Sequence, residues 1–165
     1  MGEVNSPEIL HSSHLLDGFS CGVPSLDEWL CKRALRNAKS GASRTFVVAD
    51  GRHVIGYYAL SSGSIEHLRA PSAMTRNMPD PIPILILGRL AVDLRYQKNR
   101  IGALLLKDAM LRTLSVADNV GVSALFVHAL SEEVKQFYLQ YGFKVSTTDA
   151  MTLYFPVKHL RSYFG

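Results

Sequence analysis

One stretch of the 165-residue chain, residues 83–117, constrains the fold more than any other. It opens with a nearly continuous apolar run over 84–87, which has the character of a buried strand. A short polar and basic turn follows, and from Ile101 onward the apolar residues recur at helical spacing. The first N–H groups of a helix have no intrahelical partner and lie at the positive end of the helix dipole. The pattern therefore predicts a strand, a turn that binds a phosphate or pyrophosphate, and a helix.

Before this stretch, the sequence predicts a helix followed by a β-hairpin. Ser25 and Glu28 have the spacing of a capping box, so Ser25 is expected to cap a helix that ends at Gly41. β-Branched and aromatic residues lie on both sides of Asp50-Gly51, which is a strong hairpin signal. The two flanking segments are therefore predicted to pair as antiparallel strands.

After this stretch, residues 124–129 predict a buried strand, which the helical crossover places parallel to the central strand. Ser131 and Gly142 are expected to begin and end another helix, and the last strands are predicted over 143–145 and 151–155. All 165 residues are predicted to form a single α+β domain. Its mixed central sheet is expected to have about six to seven strands, flanked by helices.

Composition limits the classes of function. The chain has 18 basic and 14 acidic residues and a pI near 9.2, which allows contact with a polyanion but is not a histone-like excess. Cys21 and Cys31 have no metal-ligand spacing, so no metal site is predicted. No apolar run reaches about 18 residues, and no basic start is followed by an apolar region. We therefore predict a cytoplasmic protein without a membrane partner.

The turn carries the first motif of a known family. Gln97-Lys98-Asn99-Arg100-Ile101-Gly102 resembles the motif with which the GCN5-related N-acetyltransferases, the GNAT family, bind the pyrophosphate of acetyl-CoA. That motif is Gln or Arg, two variable residues, Gly, one variable residue, and Gly or Ala. Gln97 and Gly102 match it, and Arg100 occupies the place of the first glycine. Arg100 is expected to need no positive φ if the turn is already helical, and its guanidinium to aid a phosphate.

A second motif follows in Phe137-Tyr138-Leu139-Gln140-Tyr141-Gly142-Phe143, which resembles the late helix of the same family. In the enzymes it resembles, a tyrosine at this place lies beside the thioester sulfur and protonates the departing thiolate. The resemblance therefore implies that Tyr138 is the catalytic residue. An unperturbed phenol, with a pKa of about 10, suits an acid at neutral pH. Tyr141 is expected to serve capping or packing.

Further segments resemble the GNAT toxins of type II toxin–antitoxin modules, among them Arg76-Asn77-Met78-Pro79-Asp80 and Gly88-Arg89-Leu90-Ala91-Val92-Asp93. This resemblance implies an enzyme that uses acetyl-CoA to acetylate the α-amino group of aminoacyl-tRNA, and so blocks translation. It also implies a ribbon-helix-helix antitoxin as partner, through which the pair binds operator DNA and represses its own operon. Whether the protein forms a homodimer is left open.

The resemblance also assigns the binding residues. Those expected to hold acetyl-CoA are Leu90, Ala91, Val92, Gln97, Lys98, Asn99, Arg100, Ile101, Gly102 and Ala103. Those expected to contact tRNA are Lys32, Arg33, Arg36, Lys39, Arg44, Arg76 and Arg89. For Arg89 a buried ion pair is an equal alternative, and the helix cations could instead form a solvated face. His128 is expected to be a satisfied histidine of the core or rim.

Two other functions stay open at this point. A GNAT enzyme that acetylates a small amine or a protein N-terminus would be favoured by basic residues lying away from the acceptor cleft. A catalytically silent binding protein would result if Arg100 spoils the turn that binds acetyl-CoA.

Overall fold

The computed structural model describes residues 4–165, and Met1, Gly2 and Glu3 lie outside the described part. The strands are β1 (Glu8–Ile9), β2 (Arg44–Asp50), β3 (His53–Ile65), β4 (Ile82–Val92), β5 (Ala124–His128), β6 (Lys144–Val145) and β7 (Thr152–Pro156). The α-helices are α1 (Pro24–Lys32), α2 (Ala34–Ser40), α3 (Ser72–Thr75), α4 (Ile101–Ala117), α5 (Glu132–Gln140) and α6 (Val157–Phe164). Short 3-10 helices cover His67–Arg69 and Leu94–Tyr96. Within residues 4–165, none of the helices is both long and apolar enough to cross a membrane.

The strands form a seven-stranded sheet in the order β1-β2-β3-β4-β5-β7-β6. β4 and β5 run parallel, as predicted for a crossover through α4, whereas β2 and β3 and also β5 and β7 are antiparallel. This mixed sheet with its flanking helices confirms the predicted fold class. The hairpin at Asp50-Gly51 is also confirmed, because Asp50 pairs with His53.

The chain divides into two compact units, and unit 1 comprises Met1–Ser61 and Gly88–Ala109. Its core is organised on β3, where Tyr57 is fully buried and stacks on Trp29 with ring centroids 5.9 Å apart. The Tyr57 hydroxyl donates to the carbonyl oxygen of Leu26 at 2.7 Å, which satisfies the polar end of the buried ring. At Gly56 an added Cβ would lie 3.0 Å from Leu105 Cδ1, so glycine lets the start of α4 pack closely on β3.

Unit 2 comprises Ser62–Leu87 and Met110–Gly165. Its core contains Ile82 and Ile84 of β4 and a stacked pair, Phe126 and Tyr154, with ring centroids 5.6 Å apart. Ser131 caps α5 by accepting a hydrogen bond from the N–H of Val134 at 3.2 Å, as predicted. Gly142 follows α5 with φ 97°, the left-handed conformation expected of a glycine that ends a helix.

One prediction about helices was wrong, and one helix was not predicted. α1 begins at Pro24, so Ser25 lies within the helix and provides no side-chain cap, while Asp27 accepts from the N–H of Cys21 at 2.9 Å. A helix that the sequence reading missed, α6, follows β7 directly and buries Val157 and Leu160. The spacing of these two residues, with Pro156 in front of them, was the signal that could have revealed α6.

Candidate active site

Asp93, directly after β4, anchors the site with a carboxylate that is only 1% exposed. It accepts hydrogen bonds from the N–H of Ser20 (3.2 Å), the N–H of Arg95 (2.9 Å) and the Arg95 guanidinium (3.0 and 3.1 Å). Burial acts to raise the pKa of Asp93, but these hydrogen bonds outweigh burial and hold the pKa below its usual value. Asp93 is therefore ionised at neutral pH and holds the residues after β4 against the segment before α1.

Gln97 fixes the loop of residues 97–100 with its side-chain amide. Its Nε2 donates to the carbonyl oxygen of Val92 at 3.0 Å and to that of Cys21 at 3.2 Å. This loop, called the pre-helix loop below, is thus tied to the end of β4 and to the same segment that Asp93 holds. The Val92 carbonyl oxygen thus already accepts one hydrogen bond within the protein. Of the three strand residues predicted to hold acetyl-CoA, Leu90 and Ala91 are therefore the better candidates.

The pre-helix loop contains two non-glycine residues with positive φ, Lys98 at 70° and Arg100 at 62°. The expectation that Arg100 needs no positive φ is therefore wrong: the residue at the family's glycine position adopts the conformation for which glycine is the usual choice. A left-handed conformation costs a side chain with a Cβ about 1 kcal/mol. Both side chains are exposed, so packing of the side chains does not explain why these residues are present.

Helix α4 begins with free hydrogen-bond donors. The carbonyl oxygen of Arg100 accepts from the N–H of Leu104 at 3.0 Å, which places Arg100 at the cap position of α4. An arginine side chain offers only donors, and the Asn99 amide donates to the Tyr96 carbonyl oxygen at 3.2 Å. Within residues 4–165, the N–H groups of Ile101, Gly102 and Ala103 have no acceptor.

These donors and the two exposed cations of the pre-helix loop suit a pyrophosphate. The first turn of α4 has no acidic residue that would compete for its N–H groups. Oriented backbone donors and the positive end of a helix dipole stabilise a dianion without a dedicated side chain. The predicted acetyl-CoA residues from 97 to 103 thus lie together at one helix start, all within unit 1.

The predicted strand site lies further back on β4. β4 pairs with β5 in parallel over three residues. The first pair is Leu85 with Leu125, and the last is Leu87 with Val127. Leu90 and Ala91 follow this paired stretch, so we expect their backbone groups on that edge of β4 to be open to an extended ligand.

Tyr138 lies in α5 and belongs to unit 2. Its side chain is 4% exposed and meets the rings of Phe137 and Phe143 edge-on, with centroids 5.2 and 5.4 Å away. Burial raises the pKa of the Tyr138 phenol above its ordinary value, so the prediction of an unperturbed phenol is wrong. The hydroxyl therefore stays protonated throughout the neutral range, and its ionised form is strongly disfavoured. Tyr141 caps α5 and packs on Phe137, which confirms the role expected for it.

The predicted tRNA-binding cations differ in how far they are engaged within the protein. Lys32 pairs with Glu28 at 3.1 Å, and Arg44 Nη1 donates to the Ala38 carbonyl oxygen at 2.7 Å. Arg89 lies over the Trp29 ring, 4.3 Å from its centroid, so it makes a cation–π contact and, within residues 4–165, no ion pair.

The remaining members of that set are exposed. In the described part of the chain Arg33, Arg36 and Lys39 have no acidic partner within salt-bridge distance, and the same holds for Arg76. Arg76 belongs to unit 2 and the other predicted cations to unit 1. His128 is exposed, with its Nδ1 3.2 Å from Thr152 Oγ1, which confirms a satisfied histidine at the rim.

A family model for the acetyltransferase (GNAT) domain matches residues 41–145 of the chain. Among known proteins, a tRNA-acetylating toxin of Mycobacterium tuberculosis is 42% identical over 165 residues, which cover 100% of this chain and 99% of that protein.

Solved structures of a further toxin, AtaT, are similar over almost the whole chain. AtaT complexed with acetyl-methionyl-tRNAfMet has a TM-score of 0.91 at 30% identity, covering 99% of this chain and 100% of that one. AtaTR bound with acetyl-CoA has a TM-score of 0.87 at 30% identity, covering 98% of both chains. The AtaT–AtaR complex bound to DNA has a TM-score of 0.81 at 30% identity, covering 98% of this chain and 100% of that one.

The Asp93 network predicts a pH-dependent loss of stability. Asp93→Asn should lower the free energy of unfolding by about 2 kcal/mol at pH 7, because the amide cannot replace the charge-assisted hydrogen bonds. The folded pKa lies below the usual 3.8, so the contribution is complete above that value and is lost as the pH falls through the folded pKa. Urea titrations from pH 7 to pH 3 should show the difference shrinking below about pH 4. Asp118→Asn, which removes an exposed partner of Arg161, is the control and should cost less than about 1 kcal/mol. Equal stability of wild type and Asp93→Asn at pH 7 would contradict this role.

The backbone of Arg100 predicts an unusual order of stability. Arg100→Gly and Arg100→Ala both remove the guanidinium, but only glycine adopts a φ of 62° without strain. The glycine variant should be more stable than the alanine variant by about 1 kcal/mol in thermal or urea unfolding. At Lys107, an exposed position within α4, the order should be reversed by about 1 kcal/mol in favour of alanine. An alanine variant that is the more stable one at both positions would show that Arg100 is unstrained.

Proposed function

Because the chain belongs to the GNAT acetyltransferase family, we propose that it transfers the acetyl group of acetyl-CoA to the α-amino group of an aminoacyl-tRNA and so blocks translation. The start of α4, with its free N–H groups beside Lys98 and Arg100, is the observation that carries this proposal, because it fits the pyrophosphate of acetyl-CoA. The similarity to a tRNA-acetylating toxin over the full chain supports the choice of acceptor. All 165 residues are proposed to act as one acetyltransferase domain.

Acetyl-CoA supplies the acetyl group as a thioester, and the protein's part is to place the donor beside the acceptor. In this proposal the N–H groups of Ile101, Gly102 and Ala103 bind the pyrophosphate, and Lys98 and Arg100 add charge-assisted contacts. Backbone groups of Leu90 and Ala91 hold the extended arm as a neighbouring strand would. Asp93 and Gln97 act as positioning residues, since they fix the geometry of the loop that offers these donors.

The acceptor chemistry needs little activation. A free α-amine has a pKa of about 8, so a useful fraction is neutral at pH 7 and able to attack a carbonyl carbon. The C–N bond of the amide forms as the C–S bond of the thioester breaks, and the proton lost by the amine ends on the departing sulfur. No strong general base is required, which agrees with a β4 that contains no Glu or His.

Tyr138 is proposed to donate a hydrogen bond, and then a proton, to the sulfur that leaves the thioester. Its hydroxyl is a hydrogen-bond donor for the developing thiolate, and because burial disfavours the ionised phenol, a lasting loss of its proton would be costly. As its proton moves to sulfur, the proton released by the amine restores the phenol. Proton balance is then complete within one turnover, and no charged tyrosine accumulates in its apolar surroundings.

Exposed cations are proposed to hold the tRNA backbone. Arg33, Arg36 and Lys39 on and before α2 carry this role with the least competition from internal partners. Three further cations are proposed to contribute, although each already makes a contact within the protein that it would have to share or give up. They are Lys32, Arg44 and Arg89.

The proposed partners are those of a toxin–antitoxin module. AtaT has been solved with AtaR, and that complex with DNA, and we propose an analogous antitoxin of ribbon-helix-helix type for this chain. Operator DNA would be bound through the antitoxin. A cytoplasmic location completes the proposal, since the tRNA substrate is cytoplasmic.

The direct test incubates the protein with labelled acetyl-CoA and charged total tRNA. We expect label on the charged fraction only, in a form released together with the amino acid by mild base, because the acetyl group is attached to the amine. Deacylated tRNA and a generic peptide amine serve as controls. Label on deacylated tRNA would overturn the amine assignment, and label on the peptide alone would favour a protein or small-amine acetyltransferase.

Tyr138→Phe separates chemistry from binding. The variant keeps the ring that packs on Phe137 and Phe143, so we expect an unchanged fold and unchanged acetyl-CoA affinity by calorimetry. Loss of the hydroxyl should lower single-turnover transfer to charged tRNA by about 100-fold or more. Tyr141→Phe is the matched control and should transfer at close to the wild-type rate. Full activity of Tyr138→Phe would remove Tyr138 from the mechanism.

A further inference from the structure

Unit 2 contains a cavity of about 560 Å³ at the start of α6, and none of the residues assigned to acetyl-CoA is among those that line it. Part of its wall is apolar and comes from Met74 and Met78, which lie between β3 and β4, and from Tyr154 of β7. Its volume lies in the range of sites that hold small ligands or single groups of larger ones. The cavity is therefore large enough to hold one phosphate group.

Five basic side chains also line this cavity. They are Arg76, Lys144, Lys158, His159 and Arg161. Arg161 pairs with Asp118 at 2.7 Å, but within residues 4–165 no acidic group lies within salt-bridge distance of Arg76, Lys144 or Lys158. No acidic residue of the described part of the chain lines the cavity. Three cations without an acidic partner thus line one concave site.

One of these cations, Lys158, lies where a helix disfavours positive charge. α6 has no acidic residue in its first turn, where Lys158 lies, and Pro156 provides no side-chain cap. Positive charge at a helix start opposes the helix dipole, whereas α5 follows the favourable pattern with Glu132 and Glu133 in its first turn. An anion in the cavity would reverse the sign of this interaction.

The pKa of His159 is sensitive to the positive charges that line the cavity. Partial burial and the positive charges of Lys144 and Lys158 hold the pKa of its imidazole below the usual value. Both lysines therefore act on the imidazole of His159, and an anion bound in the cavity would offset their charges.

We propose that this cavity is a phosphate-binding site that takes a phosphate group of the RNA backbone of the substrate. This inference rests on the proposed function and adds a second contact region, since none of the cavity residues except Arg76 was assigned to tRNA. Lysine and arginine bind phosphate as charge-assisted donors, and a site with cations on several sides suits an anion that projects from a backbone.

An acidic peptide fits the site less well. A peptide bound as an added strand uses main-chain hydrogen bonds along an open strand edge, with pockets for alternate side chains. Here the charged groups come from the loop after α3, from β6 and from α6, and they line one cavity rather than one strand edge. Phosphate contacts carry no sequence information, so the cavity would add affinity for every tRNA and would help to set the orientation of the bound RNA.

The test measures the salt dependence of binding. Lys144→Gln, Lys158→Gln and the double variant are compared with wild type by fluorescence anisotropy of labelled, deacylated total tRNA between 50 and 200 mM salt, about the range over which such contacts weaken. Each lost phosphate contact should reduce the slope of log affinity against log salt by about 1, so the double variant should lose about 2. Lys107→Gln, an exposed lysine of α4 outside the cavity, is the matched control and should keep the wild-type slope.

Two further measurements make the result decisive. The pKa of His159, followed by NMR, should rise when tRNA binds to wild type, because a phosphate offsets the neighbouring lysines. Acetyl-CoA affinity should be the same in all variants, since the cavity holds none of the acetyl-CoA residues. A double variant with the wild-type salt slope, or one that loses affinity for polyglutamate but not for tRNA, overturns the proposal. If wild type acetylates charged tRNA and the slope is unchanged, only the cavity assignment fails; if no charged tRNA is acetylated, the proposed function itself fails.

Discussion

The buried carboxylate of Asp93 is the interaction on which the acetyl-CoA side of the protein depends. A carboxylate that is 1% exposed would cost several kcal/mol without partners, so its hydrogen bonds to Ser20 and Arg95 must form together. Their formation joins the end of β4 to the segment that precedes α1. The uncharged amide of Gln97 links the same two segments with hydrogen bonds to the carbonyl oxygens of Cys21 and Val92. The pre-helix loop therefore has little freedom relative to β4, and the free N–H groups of α4 keep their direction before any ligand arrives.

The sequence predicts the elements around this loop well but not the loop itself. β4 (Ile82–Val92) and α4 (Ile101–Ala117) are long segments with strong periodicity, and local pattern is enough to identify them. The segment that leads to Arg100 is held by contacts that Asp93 and Gln97 make with residues far away in sequence, such as Ser20 and Cys21. Local sequence patterns do not contain these contacts, and they do not predict the positive φ of Arg100. Arg100 adopts a conformation that is usual for glycine, and its side chain adds a charge to the loop.

Tertiary packing also explains the other differences. The resemblance selects Tyr138 by its place in a motif, but the raised pKa of its phenol comes from the packing of α5 with Phe143 beyond the helix end. α6 escapes prediction because it is short and follows β7 without a loop, so the change from strand to helix spacing occurs at a single proline, Pro156. α1 begins at Pro24, and Asp27 accepts from the N–H of Cys21, a residue outside its own helix. For Tyr138 and Asp27, contacts with residues outside the helix thus set the surroundings of the side chain.

The basic residues show most clearly why a charge count cannot define a binding surface. Lys32 and Arg89 are prominent in the sequence, yet the first is paired with Glu28 and the second lies on Trp29. Releasing such contacts reduces the net gain from a phosphate, because each new hydrogen bond replaces an existing one. Lys144 and Lys158 belong to no motif of the sequence, yet they lack acidic partners in the described part of the chain and line the same cavity. The free energy that a polyanion gains from a cation depends on what that cation does before binding, and only the folded structure contains that information.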